Sequence, residues 1–457
     1  MIFSSLLFLF IFMPIFLAIY YLVPFKFKNF ILLVFSLLFY SWGEPIYITL
    51  LIFSSIVDYF NGRLITKYNG NRKKQRIFLI LSIVINLSLL GVFKYSNFIV
   101  DNLNLLGLNI DIPNIALPLG ISFFTFQTMS YSMDVYMGTV KCERNFLNFM
   151  TYVSMFPQLV AGPIVRYEEV GKELHKRTIN FDGFCKGLFK FLTGLFKKVL
   201  IANNVGLLFS MISSNPNISL ASAWLGIIAY SLQIYFDFSG YSDMAVGLGR
   251  MLGFSYPENF NYPYIAKSIT DFWRRWHMTL STWFKDYVYF PLGGSRCSKL
   301  KNIRNLLIVW MLTGIWHGAS WNFIIWGLYF GVILILEKTV LKKFLSKLPA
   351  FFRHVYAIFL IIIGWLIFAF DNMTNLINYS GKMFANSKLI GNDFFFYFRN
   401  YFVFIIFGII FSIPIVKKIK LNKFWKVFIV IAYLLLFIIC VAMLVSDSYN
   451  PFLYFRF

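Results

Sequence analysis

Residues 305–336 read NLLIVWMLTGIWHGASWNFIIWGLYFGVILIL, and the only Asp, Glu, Lys, Arg or His among them is His317. Two apolar runs, 304–318 and 320–336, are divided by Gly318-Ala319-Ser320. Crossing about 30 Å of hydrocarbon takes roughly 20 apolar residues in a helix, so these runs read as spans, short enough to be tilted or broken. Similar runs recur at 3–24, 29–43, 46–61, 77–93, 115–133, 146–162, 220–236, 354–370, 400–416 and 427–446. The pattern reads as an all-α polytopic membrane protein of about ten or eleven spans.

Composition agrees. Of 457 residues 59% are hydrophobic and 13% charged, with 57 Phe and a mean hydropathy of +0.70. A soluble domain carries about a quarter charged residues. Soluble enzymes, disordered chains and coiled coils are therefore excluded. The net charge of +23 falls between apolar runs rather than on a soluble basic fold, so nucleic acid is not the expected partner; the lipid bilayer is. The opening apolar stretch lacks a basic n-region and a small-residue cleavage site, and reads as a retained span. Cys142, Cys185, Cys297 and Cys440 are widely spaced and read as ordinary thiols.

Basic loops set the orientation. Those at 62–76, 338–353 and 417–426 are expected in the cytoplasm, which places both termini outside. Residues 163–200 and 257–303 interleave charges with aromatics and read as too polar to span. Within the first, Phe184, Leu188, Phe191 and Leu195 recur beside Lys186, Lys190, Lys197 and Lys198, which predicts a basic amphipathic helix on the inner membrane surface.

An ionisable group at membrane depth is costly, so His317 stands out as a functional candidate. Gly314, Gly318 and Ala319 leave room beside it, and Trp316, Trp321 and Trp326 are placed to wall that space. A histidine in such a site suits removal of a hydroxyl proton. His175 and His354 lie in charged surroundings and read as solvated. The stretch Asp271 to Asp286 reads as one helix with Trp273, Trp276, Leu280 and Trp283 on one face and Arg274, His277, Ser281 and Lys285 on another. The second face suits a phosphate-bearing ligand such as coenzyme A, or else ion pairs with Asp271 and Asp286. No metal site, GxSxG elbow or P-loop is present in the sequence.

Together these segments resemble the membrane-bound O-acyltransferase family, nearest its bacterial branch of alginate and exopolysaccharide O-acetyltransferases. The landmarks are Leu117 to Gln127, Phe156 to Ile164, Tyr235 to Asp243, the Arg274-Arg275-Trp276-His277 segment and Gly314-Ile315-Trp316-His317-Gly318. The resemblance implies one integral-membrane acyltransferase domain over 1–457, with core motifs in 115–337 and an extracytoplasmic tail at 447–457. It implies a ring of about eleven transmembrane helices, with horizontal and re-entrant helices around a central tunnel. His317 and His277 are then catalytic. Arg274, Arg275, Ser281 and Lys285 would bind the donor, and Trp316, Asn322, Gln127 and Asp237 would line the tunnel.

Acetyl-CoA is the expected donor, a carrier-protein thioester the alternative, with no bound cofactor or metal. An extracytoplasmic transferase of the SGNH-hydrolase type is the expected partner and would pass acetyl to a polysaccharide acceptor. The location implied is the bacterial inner (cytoplasmic) membrane. The tail Phe452-x-Tyr454-x-x-Phe457 resembles one in which the tyrosine hydroxyl carries the acyl group, although an aromatic interface anchor fits the same residues. D-alanyl or acyl transfer to teichoic acid or peptidoglycan is the alternative within the family. A lipid-linked sugar transporter is the rival outside it; that rival predicts internal repeats, which the sequence lacks.

Overall fold

The computed structural model describes all residues except 112–114, 161, 386–387, 416–422, 447–448, 452 and 454–457. The described residues form helices and no strands. Among the described residues seven helices are long and apolar enough to cross a membrane: Ile48–Lys67, Arg72–Leu105, Phe181–Ser214, Trp321–Thr339, Ala350–Ala369, Asn392–Phe411 and Val427–Ser446. The shorter Phe8–Leu22 is apolar as well. The protein is thus an all-α, multi-pass membrane protein. It divides into two compact units, Met1–Phe191 with Ser242–Pro257, and Leu192–Tyr241 with Glu258–Phe457.

In the first unit the polar side chains are spent inside the bundle. Helix Ile121–Met137 has 14 of its 17 residues buried, so its many hydroxyls face protein and not lipid. Asp58, fully buried on Ile48–Lys67, accepts from Asn86 at 2.6 Å, from Ser132 at 2.8 Å and from Ser82. Inter-helical polar bonds of this kind join helices where lipid supplies no hydrophobic drive. The predicted span at 146–162 is instead two buried pieces, Phe146–Ser154 and Phe156–Leu159, broken at Met155, whose ψ of 111° is extended, with Pro157 in the next turn. His175 is not simply solvated, because its Nε2 meets Glu143 at 2.7 Å.

The predicted surface helix also needs correction. Residues 181–198 open a continuous 34-residue helix to Ser214 that ranks among the spans. Its lysines do not all face outward. Within the first unit Lys190 pairs with Asp243 at 2.8 Å; within the second, Lys198 pairs with Asp237 at 2.6 Å. Small residues allow this. A Cβ on Gly247 would lie 2.6 Å from the Gly187 carbonyl, and one on Gly240 would lie 2.8 Å from that of Gly194. Helix backbones that approach so closely bring lysine and aspartate within reach across the crossing.

In the second unit Lys299–His317 packs against Trp321–Thr339, again through glycines. A Cβ on Gly314 would sit 2.4 Å from the Phe323 carbonyl, and one on Gly327 would sit 2.4 Å from that of Trp310. Ala350–Ala369 packs beside this pair, with Gly364 making room for the Phe330 ring.

Candidate active site

His317 is the last residue of its helix, and Gly318 continues in extended backbone before the next helix starts at Trp321. The imidazole is buried in an aromatic cage. Ring centroids lie 5.0 Å away for Trp316, 4.9 Å for Trp326 and 5.4 Å for Phe368, all close to edge-on.

The predicted helix over 271–286 is two short helices, Ile269–Trp273 and Met278–Phe284, followed by a π turn at Lys285–Tyr289. The break falls at His277, whose φ of 42° is left-handed. A non-glycine residue there costs on the order of 1–3 kcal/mol and persists only where its surroundings enforce it. Asn259 is one enforcer: its Oδ1 meets His277 Nδ1 at 3.0 Å and accepts from Thr279 N–H at 3.3 Å and Thr279 Oγ1 at 3.0 Å, while its carbonyl accepts from Met278 N–H at 3.0 Å. Because a backbone N–H donates to this atom, it is the amide oxygen. It can only accept, so His277 carries its proton on Nδ1 and its lone pair on Nε2. Burial pushes the imidazole down to about 3, so His277 is neutral.

Glu337 fixes the start of the segment. Its buried carboxylate accepts from Ile269 N–H at 2.7 Å, Thr270 N–H at 2.9 Å and Thr270 Oγ1 at 2.7 Å. Trp273 and Trp276 lock the middle, against Trp310 and Trp365 respectively, each with centroids 4.7 Å apart.

The two histidines line one cavity of about 260 Å³. Arg274, Ser281 and Lys285 line it too, as do Lys338, Trp273, Trp310 and Thr313. The cavity follows Lys299–His317 from Leu306 to His317, roughly 16 Å at 1.5 Å per residue. Arg274, Ser281, Lys285 and Lys338 are exposed, whereas both histidines are buried. The site is therefore a channel with a cationic rim and an aromatic floor that holds two imidazoles.

Other expected residues lie elsewhere. Arg275 pairs with Asp271 at 2.9 Å and is not among the lining residues. Trp273 and Leu280 do line the cavity, so the two predicted faces are not separate. Trp316 does not line it but stands beside both imidazoles, 6.0 Å from that of His277. Asn322 is buried and donates to the Ile367 carbonyl at 3.5 Å. Gln127 is buried in the first unit. Asp237 is engaged by Lys198, and Tyr454 lies outside the described residues. His354 is held through Nδ1 to the Ala266 carbonyl at 3.0 Å and is not in the cavity. Sequence reasoning missed Asn259, Glu337 and Lys338. Lys338 carried a signal, as the first cation of a basic loop; the other two carried none.

In this multi-pass helical protein, two buried histidines behind a cationic rim form a site suited to group-transfer chemistry. Residues 143–381 match the model of MBOAT, the membrane-bound O-acyltransferase family. The chain is 42% identical to the probable alginate O-acetylase AlgI of Azotobacter vinelandii, over 82% of this chain and 76% of that one. It is 36% identical to the protein of the same name from Pseudomonas putida over the full length of both, and 38% identical to the peptidoglycan O-acetyltransferase of Helicobacter pylori over 82% and 78%. The chain belongs to the membrane-bound O-acyltransferase family and is an O-acyltransferase.

Proposed function

We propose that the protein moves acetyl groups from a cytoplasmic thioester into the O-acetylation of an extracellular or cell-wall polysaccharide, with acetyl-CoA as donor. The observation that carries this reading is the single cavity shared by His277, His317 and a rim of Arg274, Lys285 and Lys338. The rim cations suit the phosphates of coenzyme A. Lys338 also begins the basic loop 338–353, which the positive-inside rule assigns to the cytoplasm; the rim would then open toward the donor. The family resemblance supports the bacterial cytoplasmic membrane, and by the same rule both termini lie outside. The third basic loop, 417–426, lies mostly outside the described residues. The alginate and peptidoglycan O-acetylating relatives support a polysaccharide acceptor.

In this reading His317 takes the proton of an acceptor hydroxyl as its oxygen attacks the thioester carbonyl. The carbon–sulfur bond breaks, the thiolate leaves and is protonated, and an oxygen ester is formed. His277, neutral and with its lone pair on Nε2, accepts a hydrogen bond and orients the reactants. The hydroxyl we propose as first acceptor is that of Tyr454, which hands its acetyl group to an extracytoplasmic SGNH-type partner; the tail resemblance supports this step.

The test is glycan acetylation in cells that express His317→Ala at wild-type level. Loss of acetyl ester with a correctly folded protein is the expected result. Full acetylation would remove His317 from the chemistry.

A further inference from the structure

Lys198 and Asp237 form an ion pair of 2.6 Å, and each side chain is only 3% exposed. Two buried ions cost several kcal/mol of desolvation each, and the pair is tolerable only where further hydrogen bonds satisfy what remains. Here the C-terminal tail supplies them. Asp237 Oδ2 accepts from Leu453 N–H at 2.8 Å, and Lys198 Nζ donates to the Pro451 carbonyl. One helical turn along, Asn203 Nδ2 donates to Asn450 Oδ1 at 3.2 Å. All of these residues belong to the second unit.

The architecture explains why the pair is there. Gly240 lets its helix approach Gly194 and Lys198 closely, which carries Asp237, nearly one turn earlier, to Lys198. The helix that leads into the tail rests on the same surface, where Tyr433 meets Thr193 at 2.8 Å and the Phe196 ring at 5.2 Å. The ions hold the main chain of the tail at 451 and 453, so the grip depends on backbone geometry more than on side-chain identity there. Leu453 is itself buried, and Tyr454 follows it directly in the sequence.

We infer that the Lys198–Asp237 pair, with Asn203, is a docking site for the C-terminal tail, and that docking there positions the tail for acyl transfer. Lys198 and Asp237 are positioning residues; the transfer part rests on the carrier role of Tyr454 proposed above. The docking part stands alone.

Two measurements separate these parts. In a background with the native cysteines replaced by serine, Asn203→Cys with Asn450→Cys should form a disulfide under mild oxidation. Adding Leu453→Pro removes the N–H that Asp237 accepts while leaving the buried pair intact. Loss of a hydrogen bond to a charged group should lower cross-linking by about tenfold or more, and Lys198→Met should do the same. Unchanged cross-linking in both variants overturns the docking site. The second measurement compares glycan acetylation with acetyl-CoA affinity. Leu453→Pro and Asp237→Asn should lose acetylation while affinity stays at the wild-type value, and Asp237→Glu should recover part of the activity. Full acetylation in Leu453→Pro overturns the positioning role. Full acetylation in Tyr454→Phe with cross-linking still dependent on Leu453 overturns the carrier reading and leaves the docking site standing.

Discussion

His277 and His317 line the same cavity, and the contacts described around them differ. His277 sits on a left-handed turn, and its ring orientation is dictated by hydrogen bonds that converge on Asn259. His317 ends a regular helix and is held by three aromatic rings. A hydrogen-bonded frame fixes a tautomer; an aromatic cage fixes a position and excludes water. The first suits a group that must present one defined nitrogen. The second suits a base that must gain and lose a proton without competition from solvent.

The contrast predicts unequal costs. His317→Gln keeps polarity and approximate size but removes the proposed base, and acetyl transfer by purified protein should fall by about 10²- to 10⁴-fold. His277→Gln should cost less, roughly 10- to 100-fold, because it displaces a hydrogen-bond acceptor and leaves the proposed proton carrier in place. An equal loss in the two variants would break the distinction. Asn259→Ala keeps both imidazoles but leaves the His277 Nδ1–H and the Thr279 donors without their Asn259 acceptor. It should cost about 1–3 kcal/mol of stability, read from thermal unfolding in detergent, and part of the His277 activity.

Smaller effects sharpen the rim. Arg274→Gln or Lys285→Gln should raise KM for acetyl-CoA several-fold with little change in kcat, as loss of uniform binding does. Arg275→Gln should leave KM unchanged, since Arg275 is committed to Asp271 and does not line the cavity. The smallest effect concerns pH. Above about 6.5, the usual histidine value, His277 is neutral in folded and unfolded chains alike and contributes nothing to the pH dependence of stability. As pH falls from there toward about 3, the unfolded chain binds a proton that the folded one refuses, so stability declines. His277→Gln should flatten that decline, and an activity change between pH 6 and 8 should survive the substitution.

Much of the site was legible in the sequence, and the reasons differ by residue. His317 stood out because it is alone among apolar neighbours from 305 to 336. Arg274, His277, Ser281 and Lys285 were grouped by helical spacing, and all four line the cavity although the helix breaks at His277. Periodicity could not show the break, since left-handed backbone at a histidine has no hydropathy signature. Asn259, 18 residues upstream of His277, was invisible for the same reason that Glu337 was: a tertiary acceptor leaves no local pattern. The fold was read well where helices face lipid and poorly where they face protein. Lys190 and Lys198 looked like surface charges because their partners, Asp243 and Asp237, lie on another helix far along the chain. The polar helix Ile121–Met137 and the broken stretch at 146–159 are likewise wrapped by protein, so their hydropathy does not report their depth.

In the proposed reading the thioester donor enters the cavity through its cationic rim. Ser281 is exposed on that rim, lines the cavity and belongs to neither imidazole's frame. The most direct measurement is the rate at which a membrane-impermeant maleimide labels purified Ser281→Cys, with wild-type protein as the baseline for the native thiols, in the presence and absence of acetyl-CoA. Rapid labelling that saturating acetyl-CoA suppresses is expected, with half-protection at a concentration that rises when Arg274→Gln is added. Labelling at the same rate with and without acetyl-CoA, in a preparation active for transfer, would contradict it.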